Sequence, residues 1–281
     1  MIVAVTGSSG FIGKNLVERL KMSGHEVLRL DISEGIDVLD WNNLEKIKTF
    51  DVLVHLAAMS FVPNSYKYPR NFYHLNINGV INGIELCRIH NAKFVFSSSY
   101  VYGKPEYLPI DEDHSLQGFN PYSETKIIGE KICEDYFKYF KVPSIILRPF
   151  NIYGNNQNEN FLIPMILNQA KTGHIKLIDP TPKRDFVFID DVVEAFVKAV
   201  ENDNLLFDKF NIGTGISYSV DDVVKIVNKI YDNKLIVEYS NVKRNNEVQD
   251  TIADISHSRK VLNWNPKIDL ETGLKNCIAN K

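Results

Sequence analysis

The chain has 281 residues, of which 44% are hydrophobic and 24% are charged, and its formal net charge is −3. A chain of this length buries roughly three quarters of the surface that its unfolded form exposes, so it needs no disulfide or metal to fold. The composition excludes a disordered, collagen-like or disulfide-knotted protein, and the small net charge argues against nucleic acid or a membrane surface as a partner.

Strands and helices alternate over the first half of the chain. Short β-rich runs predict strands at 2–6, 26–30, 51–56, 94–98 and 144–148. Apolar residues at helical spacing predict helices at 14–23, 41–49, 76–90 and 122–140. This alternation is typical of βαβ units, so we predict an α/β protein with a doubly wound parallel sheet of the Rossmann type.

The pattern changes after about Gly154. The polar stretch NNQNEN at 155–160 predicts a loop, and DPTPK at 179–183 predicts a proline-rich turn. The remaining segments predict a smaller, mostly helical second half. Helices are predicted at 161–171, 190–201 and 220–231, strands at 175–178, 210–212 and near Ile236, and an amphipathic segment at the C-terminus.

The three cysteines, Cys87, Cys133 and Cys277, lie far apart and form no C-x-x-C motif. They predict free thiols in a reducing compartment. The histidines are scattered, without an H-E-x-x-H motif, so we expect no metal site. No apolar run approaches the roughly 18 residues of a membrane span, and the opening MIVAVTG is typical of a strand rather than a signal peptide. We therefore expect a cytoplasmic protein.

The first strand is followed by a glycine-rich turn, TGSSGFIG. Gly7 permits a tight turn, Gly10 lets backbone amides approach a pyrophosphate, and Gly13 lets the next helix pack against the strand. The helix N-terminus would then face the phosphate charge. A flexible structural turn is the alternative. We predict a dinucleotide site formed by Gly7, Gly10, Phe11, Ile12 and Gly13.

Asp31 ends the second predicted strand, about 20 residues after this turn. A carboxylate there would accept hydrogen bonds from the adenosine ribose and repel a 2′-phosphate, which favours NAD over NADP. A turn cap is the alternative role for Asp31, and the nearby Lys14 and Arg29 leave NADP open. The turn is not a Walker A motif, because Asn15 stands where Mg²⁺ would need Ser or Thr.

The stretch NPYSETK places Tyr122 and Lys126 one helical turn apart, behind Asn120 as a predicted cap and Pro121 as the first helical residue. A free phenol has a pKa of about 10. A neighbouring ammonium group and a positively charged nicotinamide would favour the phenolate, which could exchange a proton with a substrate hydroxyl. A solvated helix face is the alternative interpretation of this spacing.

The fourth predicted strand ends in three serines, Ser97, Ser98 and Ser99, followed by YVYG. Ligands bind at the carboxyl ends of strands in an open parallel sheet, so a hydroxyl there could bond the reacting oxygen of a substrate. A serine-rich turn is the alternative.

Together these motifs resemble the extended short-chain dehydrogenase/reductase superfamily, and within it the NAD-dependent sugar-nucleotide epimerase/dehydratase family of the UDP-glucose 4-epimerase type. The resemblance covers essentially the whole chain. It extends to further motifs, namely DVLD at 37–40, HLAA at 55–58, LRPFNIYG at 147–154, RDFVFIDDVVEA at 184–195, FNIGTG at 210–215, and Arg244 with ADISHSRKVLNWNP at 253–266.

The resemblance implies a role for each matching position. Tyr122 would be the acid/base, and Lys126 would bind the nicotinamide ribose and tune Tyr122. Asn151, Arg184 and Arg244 would hold the phosphates of a nucleotide sugar, with surface ion pairs as the alternative for both arginines. Further NAD contacts are implied at Asp37, Val38, Leu56, Ala57, Ala58 and Asn76.

The register of the catalytic serine is open. Counting back from Val101 selects Ser98, whereas counting from the strand selects Ser99. We prefer Ser98 as the catalytic hydroxyl and place Ser99 among the substrate contacts. Ser99 and Tyr100 stand where dehydratases of this family carry an acid pair, which argues against 4,6-dehydration.

The resemblance implies NAD-dependent 4-epimerisation of a nucleotide sugar, of the UDP-glucose/galactose type, through a transient 4-keto form. One alternative is an NAD(P)H-dependent reductase of a nucleotide-linked 4-keto sugar, and another is an inactive NAD-binding protein. A homodimer through helices 76–90 and 122–140 is also implied, although core packing explains their apolar positions equally well. We predict a dinucleotide-binding domain at 1–154, re-entered by 186–212, and a substrate domain at 155–185 and 213–281.

Overall fold

A six-stranded sheet lies at the centre of the structure, a computed structural model that describes residues 1–240, 242 and 247–279. All neighbouring strands of this sheet pair in parallel. In spatial order, the strands are β2 (Glu26–Leu30), β1 (Ile2–Thr6), β3 (Val52–His55), β4 (Lys93–Ser97), β5 (Ser144–Pro149) and β9 (Phe207–Ile212). The predicted parallel α/β sheet is confirmed.

Helices cover both faces of this sheet, as a doubly wound fold requires. In chain order they are α1 (Phe11–Met22), α2 (Trp41–Leu44), α3 (Val62–Lys67), α4 (Pro69–His90), α5 (Pro121–Phe140), α6 (Leu162–Ala170), α7 (Ile189–Glu201), α8 (Val220–Ile230), α9 (Ser256–Val261) and α10 (Leu270–Ala279), with a 3₁₀ turn at Ile32–Glu34. Helices α4 and α5 pack against each other, and α1 packs against α7.

Alternate residues of the central strands face two separate hydrophobic clusters. Val3 and Val5 of β1 pack in the cluster that contains Leu16 of α1 and Val192 of α7. Ala4, between them, packs in the cluster formed with α4 and α5. Because the strands are buried on both faces, they appear in the sequence as almost continuous apolar runs.

The structure differs from the predicted elements at three places in the first half. Helix α4 begins at Pro69 rather than at residue 76, with proline in its first turn. The helix predicted at 41–49 ends at Leu44. Helix α3 was not predicted, because six residues are too few to show a helical period.

Two small sheets lie outside the main one. The first contains β6 (Asn151–Tyr153), β8 (Lys183–Phe188) and β10 (Ser217–Ser219), and the second pairs β7 (His174–Leu177) with β11 (Ile236–Tyr239). Within the predicted re-entry at 186–212, β9 joins the main sheet and α7 packs against α1, whereas the end of β8 pairs with β6. The division into two domains stays a prediction.

Asp185 ties the small sheet to two loops of the second half. Its carboxylate accepts hydrogen bonds from the backbone N–H groups of Thr214, Gly215 and Ala253, at 2.7 to 3.1 Å. Since the side chain is completely buried, these bonds compensate the carboxylate for its lost hydration. They fix the strand that carries Arg184.

The described residues contain no helix that is long and apolar enough to cross a bilayer. They also contain no group of three or more His, Cys, Asp or Glu side chains placed to hold a metal ion. All three cysteines belong to this part of the chain; they are buried, and none forms a disulfide.

Candidate active site

A cleft of about 910 Å³ opens where β1, β3, β4 and β5 end. This is the edge at which open parallel sheets bind ligands. The cleft brings together residues of the glycine-rich turn, the Tyr–Lys pair and the small sheet. The predicted site residues that line it are Gly7, Gly10, Phe11, Ile12, Gly13, Leu56, Ala58, Ser98, Ser99, Tyr122, Lys126, Asn151 and Arg184.

The glycine-rich turn has the geometry of a phosphate cradle. Gly7 has a φ of +66°, and a Cβ there would lie 2.8 Å from the backbone N of Ala57. A Cβ on Gly13 would lie 2.1 Å from the carbonyl O of Gly7. Gly10, the N-cap of α1, provides no side-chain hydrogen bond, and the first turn of α1 carries no acidic residue. The N–H groups of this helix end therefore suit an anion such as a pyrophosphate.

Asp31 lies beside this turn at the end of β2. One oxygen accepts a hydrogen bond from the backbone N of Ser9 at 2.9 Å, and the other accepts from the backbone N and the hydroxyl of Ser33. Burial alone would raise the pKa of Asp31, but these hydrogen bonds outweigh it and hold the pKa below its usual value. The carboxylate is therefore ionised at neutral pH and keeps a lone pair for a ribose hydroxyl.

Arg29, which at the level of sequence left NADP open as the cofactor, interacts with other side chains of the protein. It forms an ion pair with Glu34 at 2.8 Å and donates to the Ser9 hydroxyl at 2.9 Å. Its charge is therefore partly compensated before any ligand binds. Together with the ionised Asp31, this arrangement fits an unphosphorylated ribose better than a 2′-phosphate.

Asn76 holds the backbone next to the cleft and does not line it. Its amide donates to the carbonyl of Met59 and to the Thr125 hydroxyl, and its oxygen accepts from the N–H of Met59. Both amide protons are used, so Asn76 retains no donor for a cofactor. A direct contact between Asn76 and NAD stays a prediction.

Four other predicted NAD contacts also lie outside the residues that line the cleft: Asp31, Asp37, Val38 and Ala57. The side chain of Asp37 accepts from the backbone N of Leu39, and Val38 is buried with its carbonyl bonded to Asn82. The backbone N of Ala57 donates to the Thr6 hydroxyl and lies against Gly7. Ala57 therefore supports the phosphate turn from behind.

Tyr122 begins α5, where Asn120 caps the helix and Pro121 occupies the first turn, as the sequence predicted. Burial of the phenol raises the pKa of Tyr122 to about 12 and outweighs the opposing hydrogen bond with the Ser99 hydroxyl. The predicted lowering of this pKa by Lys126 is therefore absent in the chain itself, because burial dominates.

Lys126 is buried beneath Tyr122. Its ammonium group donates to the carbonyl of Ser97 at 2.7 Å and lies 5.9 Å from the centre of the Tyr122 ring and 5.0 Å from that of Phe96. Burial lowers the pKa of Lys126 to about 8, although nearby acidic groups, including Glu130, favour the charged form. The lysine thus retains a proton at neutral pH in a dry environment.

The two candidate serines point to different partners. Ser98 is buried and donates to Glu130 at 2.5 Å, so its hydroxyl belongs to the protein interior. The Ser99 hydroxyl is also buried, and it interacts with the Tyr122 phenol, whose pKa it lowers against the effect of burial. The geometry therefore places Ser99, the register that the sequence left open, beside Tyr122, and the choice between Ser98 and Ser99 as the catalytic hydroxyl stays a prediction.

The small sheet carries the predicted substrate contacts. Asn151 lies on β6 and Arg184 on β8, and both line the cleft. Arg184 forms an ion pair with Glu247, which is the alternative that the sequence left open, and it also donates to the carbonyl of Val248 at 2.7 Å. Arg244 lies outside the described residues.

Sequence reasoning missed several residues of this region. Gln157 and Thr251 line the cleft, and Gln157 Oε1 and Thr251 Oγ1 are buried without a partner in the described chain. They lie in segments without periodicity, so no sequence signal marks them. The buried pair Glu130–Arg148 did have a signal, because an arginine inside the apolar strand SIILRP requires a buried partner.

A Rossmann sheet, an uncapped glycine turn and a buried Tyr–Lys pair at one cleft define a protein of the short-chain dehydrogenase/reductase class. A family model described as the NAD dependent epimerase/dehydratase family matches residues 3–213. The chain therefore belongs to this NAD-dependent family.

Individual relatives cover nearly the full chain. A putative UDP-glucose 4-epimerase of Methanocaldococcus jannaschii is 32% identical and aligns over 99% of this chain and 97% of its own. A UDP-glucose 4-epimerase of Lactobacillus helveticus is also 32% identical, and its alignment covers 95% of this chain and 92% of its own. The crystal structure of UDP-glucose 4-epimerase from Thermotoga maritima with UDP-glucose has a TM-score of 0.90 at 27% identity, covering 99% of this chain and 98% of its own.

A further structure shows both ligands in a protein of this fold. UDP-glucuronic acid 4-epimerase from Bacillus cereus, in complex with UDP-glucuronic acid and NAD, has a TM-score of 0.88 at 28% identity. The alignment covers 100% of this chain and 99% of that one.

Proposed function

We propose that the protein is an NAD-dependent 4-epimerase of nucleotide sugars, of the UDP-glucose/galactose type. The observation that carries the proposal is the buried Ser99 hydroxyl beside Tyr122, in the cleft that also holds the glycine turn and Arg184. The names of the relatives, several of them UDP-glucose 4-epimerases, support the same reaction.

The residues present fit NAD. The amides of the turn around Gly7, Gly10 and Gly13 would hold its pyrophosphate, Asp31 its adenosine ribose, and Lys126 its nicotinamide ribose. When bound, NAD supplies a reversible acceptor for the hydrogen on the sugar C4, so that the sugar passes through a 4-keto form.

Proton transfer at the sugar O4 is the task of Tyr122. As phenolate it takes the proton of the C4 hydroxyl, and as phenol it returns the proton to the same oxygen after the sugar has presented its other face. Because burial keeps the phenol protonated even with Lys126 beside it, with a pKa of about 12, bound NAD would have to supply the further positive charge that favours the phenolate. Ser99 donates a hydrogen bond to O4.

Asn151, Arg184 and Arg244 are proposed to hold the phosphates of the substrate. Arg184 supports this role because it lines the same cleft as the glycine turn, with one edge fixed by the Val248 carbonyl. Glu247 compensates its charge until an anionic substrate enters. A firm hold on the phosphates would leave the sugar free to turn within the cleft.

The reaction is tested by incubating the purified protein with UDP-glucose, UDP-N-acetylglucosamine and their 4-epimers, without added cofactor. We expect interconversion of at least one pair, because an epimerase regenerates its bound NAD in every turnover. The Tyr122→Phe variant is the matched control. Stoichiometric consumption of NADH or NADPH with a 4-keto sugar, together with no interconversion, would instead establish a reductase and refute the proposal.

We further propose that the protein acts in the cytoplasm as a homodimer. Helices α4 and α5, which pack side by side, expose large apolar side chains that a second copy would cover; they include Tyr73, Ile81, Ile89, Tyr139 and Phe140. Sedimentation equilibrium is expected to give twice the mass of one chain, and Ile81→Asp is expected to give a monomer with an unchanged far-ultraviolet circular dichroism spectrum. A monomeric unmodified protein would exclude this interface.

The proposed domain boundaries have a physical counterpart in the main sheet. Residues 1–154 supply five of its six strands, and 207–212 supply the sixth. The remaining segments carry Arg184 and other residues that line the cleft. We therefore propose a dinucleotide-binding part at 1–154 with 186–212, and a substrate-binding part at 155–185 and 213–281, which share the cleft.

A further inference from the structure

An ion pair is buried directly behind the proposed proton-transfer site. Glu130 of α5 is 6% exposed and Arg148 of β5 is 1% exposed. The guanidinium group contacts both carboxylate oxygens, with Nη2 2.6 Å from Oε2 and Nε 2.9 Å from Oε1. The same carboxylate accepts the Ser98 hydroxyl at 2.5 Å. The proposed chemistry assigns no task to any of these three groups.

Arg148 is fully engaged on its other side as well. Its Nη1 donates to the Tyr102 hydroxyl at 2.9 Å and to the carbonyl of Glu112 at 3.0 Å, and Tyr102 in turn donates to Asn211. The pair is thus satisfied by hydrogen bonds and immobilised by β5, β9 and the segment after β4. A buried ion pair adds little stability over apolar side chains of similar size, so stability alone does not account for its presence.

Both Ser98 and Ser99 line the cleft, but the carboxylate of Glu130 binds the hydroxyl of Ser98 alone of the two. Ser98 continues the pairing of β4 with β5, because its backbone N donates to the carbonyl of Leu147 at 2.8 Å. Successive side chains of an extended chain point to opposite sides. With the Ser98 hydroxyl bonded to Glu130, the Ser99 hydroxyl is directed to the side of Tyr122.

Glu130 also lies one helical turn beyond Lys126 on α5. The other titratable groups that face the ammonium group are His55 of β3, and Tyr122 and Cys133 of α5. His55 is neutral, because burial and the charge of Lys126 lower its pKa to about 3. Burial raises the pKa of the Cys133 thiol well above its usual value, so it is neutral too. Glu130 is therefore the anion that balances Lys126 among these groups.

We propose that Glu130 is a positioning residue for proton transfer: anchored by Arg148, its carboxylate holds the Ser98 hydroxyl inside the protein so that Ser99 faces Tyr122, and its charge keeps Lys126 protonated. The proposal rests on the proposed roles of Tyr122 and Lys126. It does not require Glu130 to touch substrate or cofactor.

The test compares Glu130→Gln with Glu134→Gln, a change of the same kind at an exposed position of the same helix. In Glu130→Gln, kcat is expected to fall about tenfold with KM within threefold. Removing the anion also leaves the Arg148 cation uncompensated, and both effects disfavour protonated Lys126. The alkaline limb of the pH profile of kcat is therefore expected to move at least half a unit toward lower pH. Calorimetric titration with NAD between pH 7 and 9 is expected to show the same displacement without turnover. Glu134→Gln is expected to match the unmodified protein.

The double variant Glu130→Gln/Arg148→Met separates positioning from structural support. It replaces the pair by neutral side chains and is expected to restore the melting temperature, while the alkaline limb stays displaced. If the double variant recovered both the melting temperature and the original position of the alkaline limb of the kcat profile, Glu130 would be purely structural. That result would overturn the proposal. An alkaline limb that stays at its original pH in Glu130→Gln would overturn the proposal as well.

Ser98→Ala keeps the Glu130–Arg148 ion pair. It tests the orientation of the serines even if the Glu130 variants do not fold. Its kcat is expected to fall three- to tenfold at an unchanged melting temperature and an unchanged alkaline limb, because only the orientation of the serine segment is lost. An unchanged kcat would overturn the orienting role. If Tyr122→Phe remained active, the proposed function itself would be refuted. If Tyr122→Phe were inactive but the alkaline limb of Glu130→Gln stayed at its original pH, the proposed function would stand. Only the positioning role of Glu130 would then be refuted.

Discussion

Tyr122→Phe is expected to lower kcat by at least about 1000-fold while the protein still binds NAD. The substitution removes the group proposed to exchange a proton with the sugar O4 and keeps the aromatic ring that packs over Lys126. General acid–base catalysis contributes about 100- to 10,000-fold, and 1000-fold corresponds to about 4 kcal/mol of transition-state stabilisation. Turnover of UDP-galactose and UDP-glucose measures the loss, and calorimetric titration with NAD measures the affinity, which is expected to change less than threefold.

Tyr136→Phe is the matched control, because Tyr136 lies on the same helix and does not line the cleft. It is expected to retain full activity. Ser99→Ala is expected to lose about 10- to 100-fold, less than Tyr122→Phe, since it removes one hydrogen bond to O4 and leaves the proton acceptor in place. More than a tenth of the original activity in Tyr122→Phe would show that another group transfers the proton.

The main sheet and the phosphate turn could be predicted from the sequence, because both depend on local patterns. Buried parallel strands appear as apolar runs, and the TGSSGFIG turn joins one such strand to a helix. Tyr122 and Lys126 could be predicted for the same reason, since a helical turn separates them and Asn120 and Pro121 mark the helix start. Each of these features is determined within about 20 residues of chain.

The features that sequence reasoning missed depend on contacts between distant segments. Ser98 and Ser99 are distinguished by Glu130, which is 32 positions from Ser98. Counting along the motif cannot make this choice, because a shift of one residue reverses the side that a side chain faces. The Arg184–Glu247 ion pair, across 63 positions, was open as an alternative at the level of sequence, and only the tertiary structure shows that it forms. Asn76 resembled a cofactor contact, and only the tertiary structure shows that Met59 and Thr125 use its amide protons.

The glycine turn is the feature on which cofactor binding is expected to depend most strongly, and Gly13 is its least replaceable position. A Cβ on Gly13 would lie 2.1 Å from the Gly7 carbonyl O and 2.8 Å from the Ser8 Cα. Both are backbone atoms, so the turn itself must move to relieve the overlap. A Cβ on Gly10 would meet only the Gly7 carbonyl O, at 3.2 Å. The two positions therefore differ in how far a methyl group would distort the turn.

Gly13→Ala is accordingly expected to weaken NAD binding by at least about 100-fold, or roughly 2.7 kcal/mol, because displaced amides no longer converge on the pyrophosphate. Titration calorimetry measures the affinity, and circular dichroism and the melting temperature show whether the fold persists; overpacking of this kind typically costs about 1–3 kcal/mol of stability. Glu18→Ala, at an exposed position five residues further along α1, controls for a substitution in the same helix and is expected to bind NAD normally. Unaltered NAD affinity in a folded Gly13→Ala protein would mean that the dinucleotide does not depend on this turn, and the assignment of the cleft would have to be abandoned.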